Sequence, residues 1–420
     1  MENKTEPNRG LSLILFSFLL INILSVTVLN QSFGFVRYLR QPSLALFLLA
    51  VFHFYSRQFH FQDDLKVIRN LFLLFVFYLI FNILTSLDPV NSVSYVAWLL
   101  GLNVFLYQLL IRRNPLPFLP TLKSFLVAAT SLGSFVLLAS YIGAYVLGIS
   151  SFFDERFNYT IGTMKSEFSG VFGSNNSLGM SAFYTSAFFL LLSVLYEKRV
   201  TKWLFFILAV LCSGLIFQIG NRASMVCILF FWLIYFVWVR QSIAGVIILS
   251  TALVVFGSMY QDELTEKLRL EQFEGGNIWG NRSGLFSEAI EITQNMDFFG
   301  VGFQNQRLSR KHFRLVSEND KEYNFHNSYL AVVAELGWFG LFWIPGFIIY
   351  GLFGFKSGQF IPDKNKIPIR LIQTILITIC LFHLPVEDTI NSPGSAFFLW
   401  FWGLFYILIL GKCKPSDGNV

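Results

Sequence analysis

Charge is scarce in this chain. Asp, Glu, Lys and Arg supply 13% of 420 residues, against 55% hydrophobic. A soluble domain has no use for so much apolar surface, which excludes the soluble globular classes. Cysteine is also rare. Cys212, Cys227 and Cys380 lie in apolar runs and Cys413 in the C-terminal tail. None has metal-ligand spacing and none falls in a long loop, so neither a disulfide framework nor a zinc site is expected. Internal repeats and metal-type acidic clusters in the outer loops are missing too. Ionisable groups are nearly absent from the apolar runs, Glu335 being the main exception and His53 and His383 borderline cases. A charge inside a bilayer is costly and marks a pathway or site, and ion-coupled carriers need polar groups on several helices near the midplane. That shortage argues against transport and for chemistry at a membrane surface.

What is present is a series of apolar runs, each long enough to cross about 30 Å of hydrocarbon as a helix. About twelve are expected, near 11–30, 41–56, 69–86, 93–111, 124–148, 178–196, 203–219, 223–239, 242–259, 329–354, 368–384 and 395–411. The first follows Lys4 and Arg9 but lacks a small-residue cleavage site, so it reads as a retained anchor. The net charge of +6 is spread among loops, which suits membrane topology better than nucleic acid. Alternate short loops hold 18 and 5 Lys and Arg residues, an asymmetry that puts both termini in the cytoplasm.

The expected fold is an all-α polytopic membrane protein. Its parts are residues 1–148 with spans 1–5, an outer loop over 149–177, spans 6–9 over 178–259, a large hydrophilic outer loop over 260–325, and spans 10–12 with a tail over 326–420.

The polar equipment gathers on the outer side. Gly220-Asn221-Arg222-Ala223-Ser224 opens one span, and Gly280-Asn281-Arg282-Ser283-Gly284 opens a helix in the large loop. In each, Asn serves as N-cap and Arg enters the first turn. A cation there opposes the helix dipole, so helix stability does not select it. Beside free backbone N–H groups an arginine makes an anion receptor whose fork suits phosphate oxygens. An arginine reaching for lipid phosphates, or a plain turn residue, is the structural alternative. After Arg282 the residues Leu285, Ala289, Ile292 and Met296 form a helical stripe, which fits either the membrane surface or packing against the loop. Phe299-Gly300-Val301-Gly302-Phe303 then makes a tight apolar turn.

The stretch Phe325-His326-Asn327 begins an apolar run that reads FHNSYLAVVAELGWFG through Gly340. On a continuous helix Gly337 falls about 20° and Gly340 about 40° from His326 on the wheel, so both glycines share its face and permit a close helix neighbour. Glu335 falls on the opposite face. A histidine titrates near working pH and can take or give a proton. An interfacial histidine of no chemical role is the alternative for a lone residue.

These motifs resemble the O-antigen ligase and O-antigen polymerase superfamily of bacterial envelope proteins. Its signature is His, then Asn, Ser or Gln, nine residues, Gly, two residues, and Gly, Thr or Tyr. His326-Asn327, Gly337 and Gly340 match every defined position. Around Arg222 the chain resembles the family's Ser-Arg-Gly/Ala element, with Asn221 where Ser is usual. Arg282 to Phe303 resembles its arginine, amphipathic helix and Gly-x-Gly segment. Gly170 to Asn176 resembles Gly-x-Phe-x-Asn-Pro-Asn, with Ser174 and Asn175 departing from it. The likeness covers residues 150–345.

The resemblance implies glycan transfer from undecaprenyl diphosphate to an acceptor hydroxyl, at the periplasmic face of the bacterial inner membrane, with the 260–325 segment as the large periplasmic loop. Arg222 and Arg282 would hold the diphosphate, helped by Arg156 or Lys165, and His326 would activate or orient the attacking hydroxyl. Asn176, Asn221 and Asn327 are the remaining expected substrate contacts. No cofactor and no metal is expected, and the outcome would be inversion at the anomeric carbon. The expected partners are the lipid-linked donor, lipid A-core or a second lipid-linked glycan as acceptor, and membrane lipids, but no nucleic acid. O-antigen ligase is the first expectation. The others are a polymerase of lipid-linked repeats, a protein O-oligosaccharyltransferase, and, in a different class, a lipid-linked oligosaccharide flippase.

Overall fold

The computed structural model describes residues 66–110, 118–158, 163–172, 174–259, 282–296, 298–313, 315, 325, 327–354, 363–385 and 396–412; within these, Arg156, Lys165 and Arg282 are among the residues described by backbone alone. The expected spans at 11–30 and 41–56 lie outside the described residues, as does His326.

Ten helices fall on the ten remaining apolar runs. They are α1 (Lys66–Leu84), α2 (Pro89–Leu110), α3 (Phe118–Tyr141), α4 (Asn175–Leu195), α5 (Arg199–Ile219), α6 (Arg222–Ile234), α7 (Ile243–Met259), α10 (Ser328–Ile349), α11 (Asp363–Thr378) and α12 (Ala396–Lys412). Among the described residues, two helices of the large loop stand between α7 and α10: α8 (Arg282–Asn295) and α9 (Gln306–His312). Helices α3, α6, α10 and α11 each end in a widened π turn, at Ile142–Val146, Tyr235–Val239, Tyr350–Gly354 and Ile379–His383.

Among the described residues, five helices are long and apolar enough to cross a membrane, or six if the bent α10 is one span. The chain is therefore a multi-pass helical membrane protein. To the all-α expectation the structure adds one element. Within the 149–177 loop, β1 (Phe153–Asn158) and β2 (Thr163–Phe168) form an antiparallel hairpin whose register sets Arg156 opposite Lys165.

Helix α4 is the axis of the bundle. Its apolar window is 89% buried, against 22% for α5 beside it. A helix apolar on all sides belongs inside, and one with an exposed apolar face suits lipid. Because lipid offers no hydrophobic drive between helices, small polar contacts join them. Ser186 of α4 donates to the Ala209 carbonyl at 2.8 Å and contacts Ser213 Oγ at 2.9 Å, and Trp232 Nε1 of α6 donates to that same Ser213 Oγ at 3.0 Å.

Helix α10 is not continuous. Gly337 has φ 67° and ψ −171°, and the segments Ser328–Gly340 and Phe342–Gly354 meet at 92°. This corrects the wheel reading of Gly337 and Gly340, which assumed an unbroken helix. A left-handed, extended residue rotates everything after it, so Gly340 no longer shares a helical face with the start of the helix.

Candidate functional site

The turn before α6 forms as its residue types dictate. Gly220 takes φ 77° and closes α5, its N–H donating to the Ile216 carbonyl at 3.2 Å. Asn221 is the N-cap of α6, its Oδ1 accepting from the Ser224 N–H at 2.7 Å. Its Nδ2 donates to Asn176 Oδ1 at 2.5 Å. Gly179, on the same face of α4 as Asn176, allows this meeting, since a Cβ there would stand 2.7 Å from that of Asn221. Two of the expected residues, Asn176 and Asn221, are thus in contact. Arg222 follows as the first residue of α6, half-buried.

The hairpin is fastened beside this turn. Phe153 and Phe168, at its base, pack with Tyr141 and Tyr145 of the α3 end in a ring cluster with centroids 5.0–5.9 Å apart. Tyr141 Oη donates to Gln218 Oε1 at 2.5 Å, two residues before Gly220. The loop that carries Arg156 and Lys165 is therefore anchored next to the turn that carries Arg222.

The start of α10 is capped by Asn327, whose Oδ1 accepts from Tyr329 N–H at 2.9 Å and Leu330 N–H at 3.0 Å. It is tied to the end of α11: Ser328 N–H donates to the Leu384 carbonyl at 2.8 Å and Tyr329 Oη to the Cys380 carbonyl at 2.7 Å. Phe230 of α6 packs on Phe382 in the same π turn, centroids 4.4 Å apart. The end of α11 thus joins the helix that begins at Arg222 to the helix that begins after Asn327. Phe325, on the other side of His326, is fully buried, and its N–H donates to Gln306 Oε1 of α9 at 3.0 Å.

The break in α10 frees backbone carbonyls that water cannot reach, and each must find a donor. Three are satisfied from outside the helix. The Ala334 carbonyl accepts from Val301 N–H at 2.9 Å, and the Glu335 carbonyl from Gly302 N–H at 3.0 Å. Asn82 of α1 adds a second donor to the Glu335 carbonyl at 2.8 Å, and Tyr78 Oη donates to the Leu336 carbonyl. The turn at 299–303 therefore joins the broken helix as an extra strand of backbone. Only glycine fits the junction: a Cβ on Gly300 would lie 2.5 Å from the Gly337 nitrogen, and one on Gly337 would lie 1.9 Å from the Phe298 oxygen. The carbonyl of Glu335 serves this seam, and its side chain is fully buried within the protein.

Sequence reasoning missed the residues that hold the seam. Asn82 is fully buried; its Nδ2 also donates to the Phe299 carbonyl at 2.7 Å, and its Oδ1 accepts from Phe303 N–H at 3.2 Å. Asn305 Nδ2 reaches Ser86 Oγ at 2.6 Å and Ser92 Oγ at 3.2 Å, and Leu87 N–H donates to the Val301 carbonyl at 3.0 Å. The α1–α2 turn is thereby clamped to the large loop. The available signal was an asparagine inside an apolar run, which a search for ionisable residues passes over.

The stripe on α8 packs inward. Ala289 and Ile292 are fully buried with Val301, Phe325, Ala331 and Ala334, and Met296 lies against them. Of the two sequence readings, packing within the protein is the one observed. Arg282 is the first residue of this helix.

Residues 210–344 match a family described as O-antigen ligase. The match supports the resemblance of this stretch to the O-antigen ligase and polymerase superfamily. The match runs from within α5 to within α10 and takes in Arg222, Arg282, His326 and the 299–303 and 334–337 parts of the seam, but not Tyr78 and Asn82 of α1. The O-antigen ligase domain supports a glycan-transfer function for this membrane protein. No curated protein matches the chain.

Proposed function

We propose that the protein transfers a glycan from undecaprenyl diphosphate to an acceptor hydroxyl at the periplasmic face of the bacterial inner membrane, as an O-antigen ligase with lipid A-core as acceptor. The observation that carries this reading is the O-antigen ligase domain at 210–344, which contains Arg222, Arg282 and His326. The ties through α11, α9 and the seam support their acting together.

In the proposed step His326 accepts the proton of the acceptor hydroxyl as its oxygen attacks the anomeric carbon. The bond from that carbon to the diphosphate oxygen breaks, and undecaprenyl diphosphate leaves with the electron pair. Arg222 and Arg282, with Arg156 or Lys165, stabilise the charge that develops on the diphosphate. One displacement inverts the anomeric carbon. Asn176, Asn221 and Asn327 are assigned to substrate through their amide groups, beside the capping oxygens of the last two.

Purified full-length protein, incubated with undecaprenyl-diphosphate glycan and lipid A-core, is expected to form the covalent product in the presence of EDTA. Arg222→Ala, Arg282→Ala and His326→Ala are each expected to lower the rate by about 100-fold or more. Full activity in His326→Ala would remove its role as base. Extension of the lipid-linked glycan in place of transfer to lipid A-core would make the protein a polymerase, and glycan movement across vesicles with no covalent product would make it a carrier.

A further inference from the structure

Helix α8 meets α10 through a smooth surface. Ala289 and Ile292 lie on Ala331 and Ala334, and small side chains of this kind do not fix how one helix slides or rolls on another. A directional contact is needed to set its register, and the structure has one. Arg310 of α9 is buried, its side chain 6% exposed, and its Nε donates to Glu288 Oε2 of α8 at 2.5 Å. Glu288 is 24% exposed, so the pair is part-buried; a charge pair drawn out of water contributes little net stability, because desolvation offsets the attraction, and its attested use is to select one arrangement among several. Cost is visible here, since Arg310 Nη1 is buried with no hydrogen-bond partner among the described residues. Helix α9 is itself fixed to the α10 entrance. Gln306, one turn before Arg310, holds the N–H of Phe325.

The geometry points to Arg310 as a positioning residue of the transfer site. Through Glu288 it sets the register of α8, and so the place of Arg282 at the start of that helix relative to the segment that carries His326. This rests on the proposed function for what the two residues do together. Displacement of a charge-stabilising group by about 1 Å can cost as much as 100-fold in rate. Arg310→Gln and Glu288→Gln are therefore each expected to lower kcat by about tenfold or more, with the KM for the lipid-linked donor within about twofold of the parent. The exchanged pair Glu288→Arg/Arg310→Glu is expected to recover most of the loss.

Wild-type kcat in both single variants would overturn the assignment. So would an exchanged pair no faster than the singles while as thermally stable as the parent. A raised KM in Arg310→Gln with Glu288→Gln silent would make Arg310 a substrate ligand instead. A second measurement needs no transfer activity. Spin labels at Glu291→Cys on α8 and His312→Cys on α9, both exposed positions, with the native cysteines replaced, are expected to give one narrow distance distribution that broadens in Arg310→Gln. An unchanged distribution overturns the clasp. If the parent transfers no glycan, the functional reading fails while this distance still tests the pair.

Discussion

Gly220 and Gly337 both take positive φ, 77° and 67°, near the two ends of the stretch that matches the O-antigen ligase family, but with ψ of 16° and −171°. Their surroundings differ completely. Nothing lies within 4 Å of where a Cβ on Gly220 would sit, whereas one on Gly337 would lie 1.9 Å from a backbone oxygen. Gly220 is needed only for its torsion angles; Gly337 is needed for its torsion angles and for the absence of an atom. The turn at 220–224 is held by side chains, through the Asn221 cap and its bond to Asn176. The seam at 334–337 sets backbone directly against backbone, through the Val301 and Gly302 N–H groups, with Asn82 and Tyr78 adding side-chain donors. Side-chain joints can lose one contact and persist, but a backbone joint admits no substitution at its contact point.

The contrast can be broken in a graded series, followed by thermal unfolding of the purified protein. Gly337→Ala is expected to have the largest effect, at least about 4 kcal/mol or failure to fold, because the obstruction is backbone and not a side chain that could turn away. Asn82→Leu keeps the branching and heavy-atom count of the side chain and strands the Phe299 carbonyl and the Phe303 N–H, at a cost of about 3 kcal/mol. Asn221→Ala removes a cap and a side-chain partner, about 1–2 kcal/mol. Gly220→Ala, with open space around it, is expected to cost about 1 kcal/mol of torsional strain and no more. If Gly220→Ala proves as damaging as Gly337→Ala, the distinction between the two glycines is wrong.

The sequence disclosed the side-chain joint and not the backbone one, for a physical reason. An N-cap is local: Asn221 lies three residues before the N–H it serves, so residue type and spacing reveal it. The ten described apolar runs were legible as helices in the same way, since hydrophobic runs of span length have few alternatives, though several helices begin up to six residues before the expected limits. The seam depends on residues far apart in the chain, among them Asn82, Val301 and Glu335, and no periodicity links them. Gly337 and Gly340 were noticed, but a wheel drawn through a continuous helix gave them the wrong purpose. The hairpin at 153–168 was read as plain loop, its strands being short and bounded by a segment without clear turn signals. The arginine turns were legible as residue types. Their assignment to one substrate came from resemblance, because composition and spacing do not reveal which loops meet.

The paired glycines of the seam also constrain how this sequence can change over generations. A side chain gained at Gly300 is blocked by the Gly337 nitrogen, and one gained at Gly337 by the Phe298 carbonyl, backbone in each case rather than a side chain that could shrink in compensation. No second substitution elsewhere opens the space. The two positions are therefore frozen jointly, and descendants that keep the bent helix are expected to keep both glycines even where the sugars they handle, and most of the loop between, have diverged.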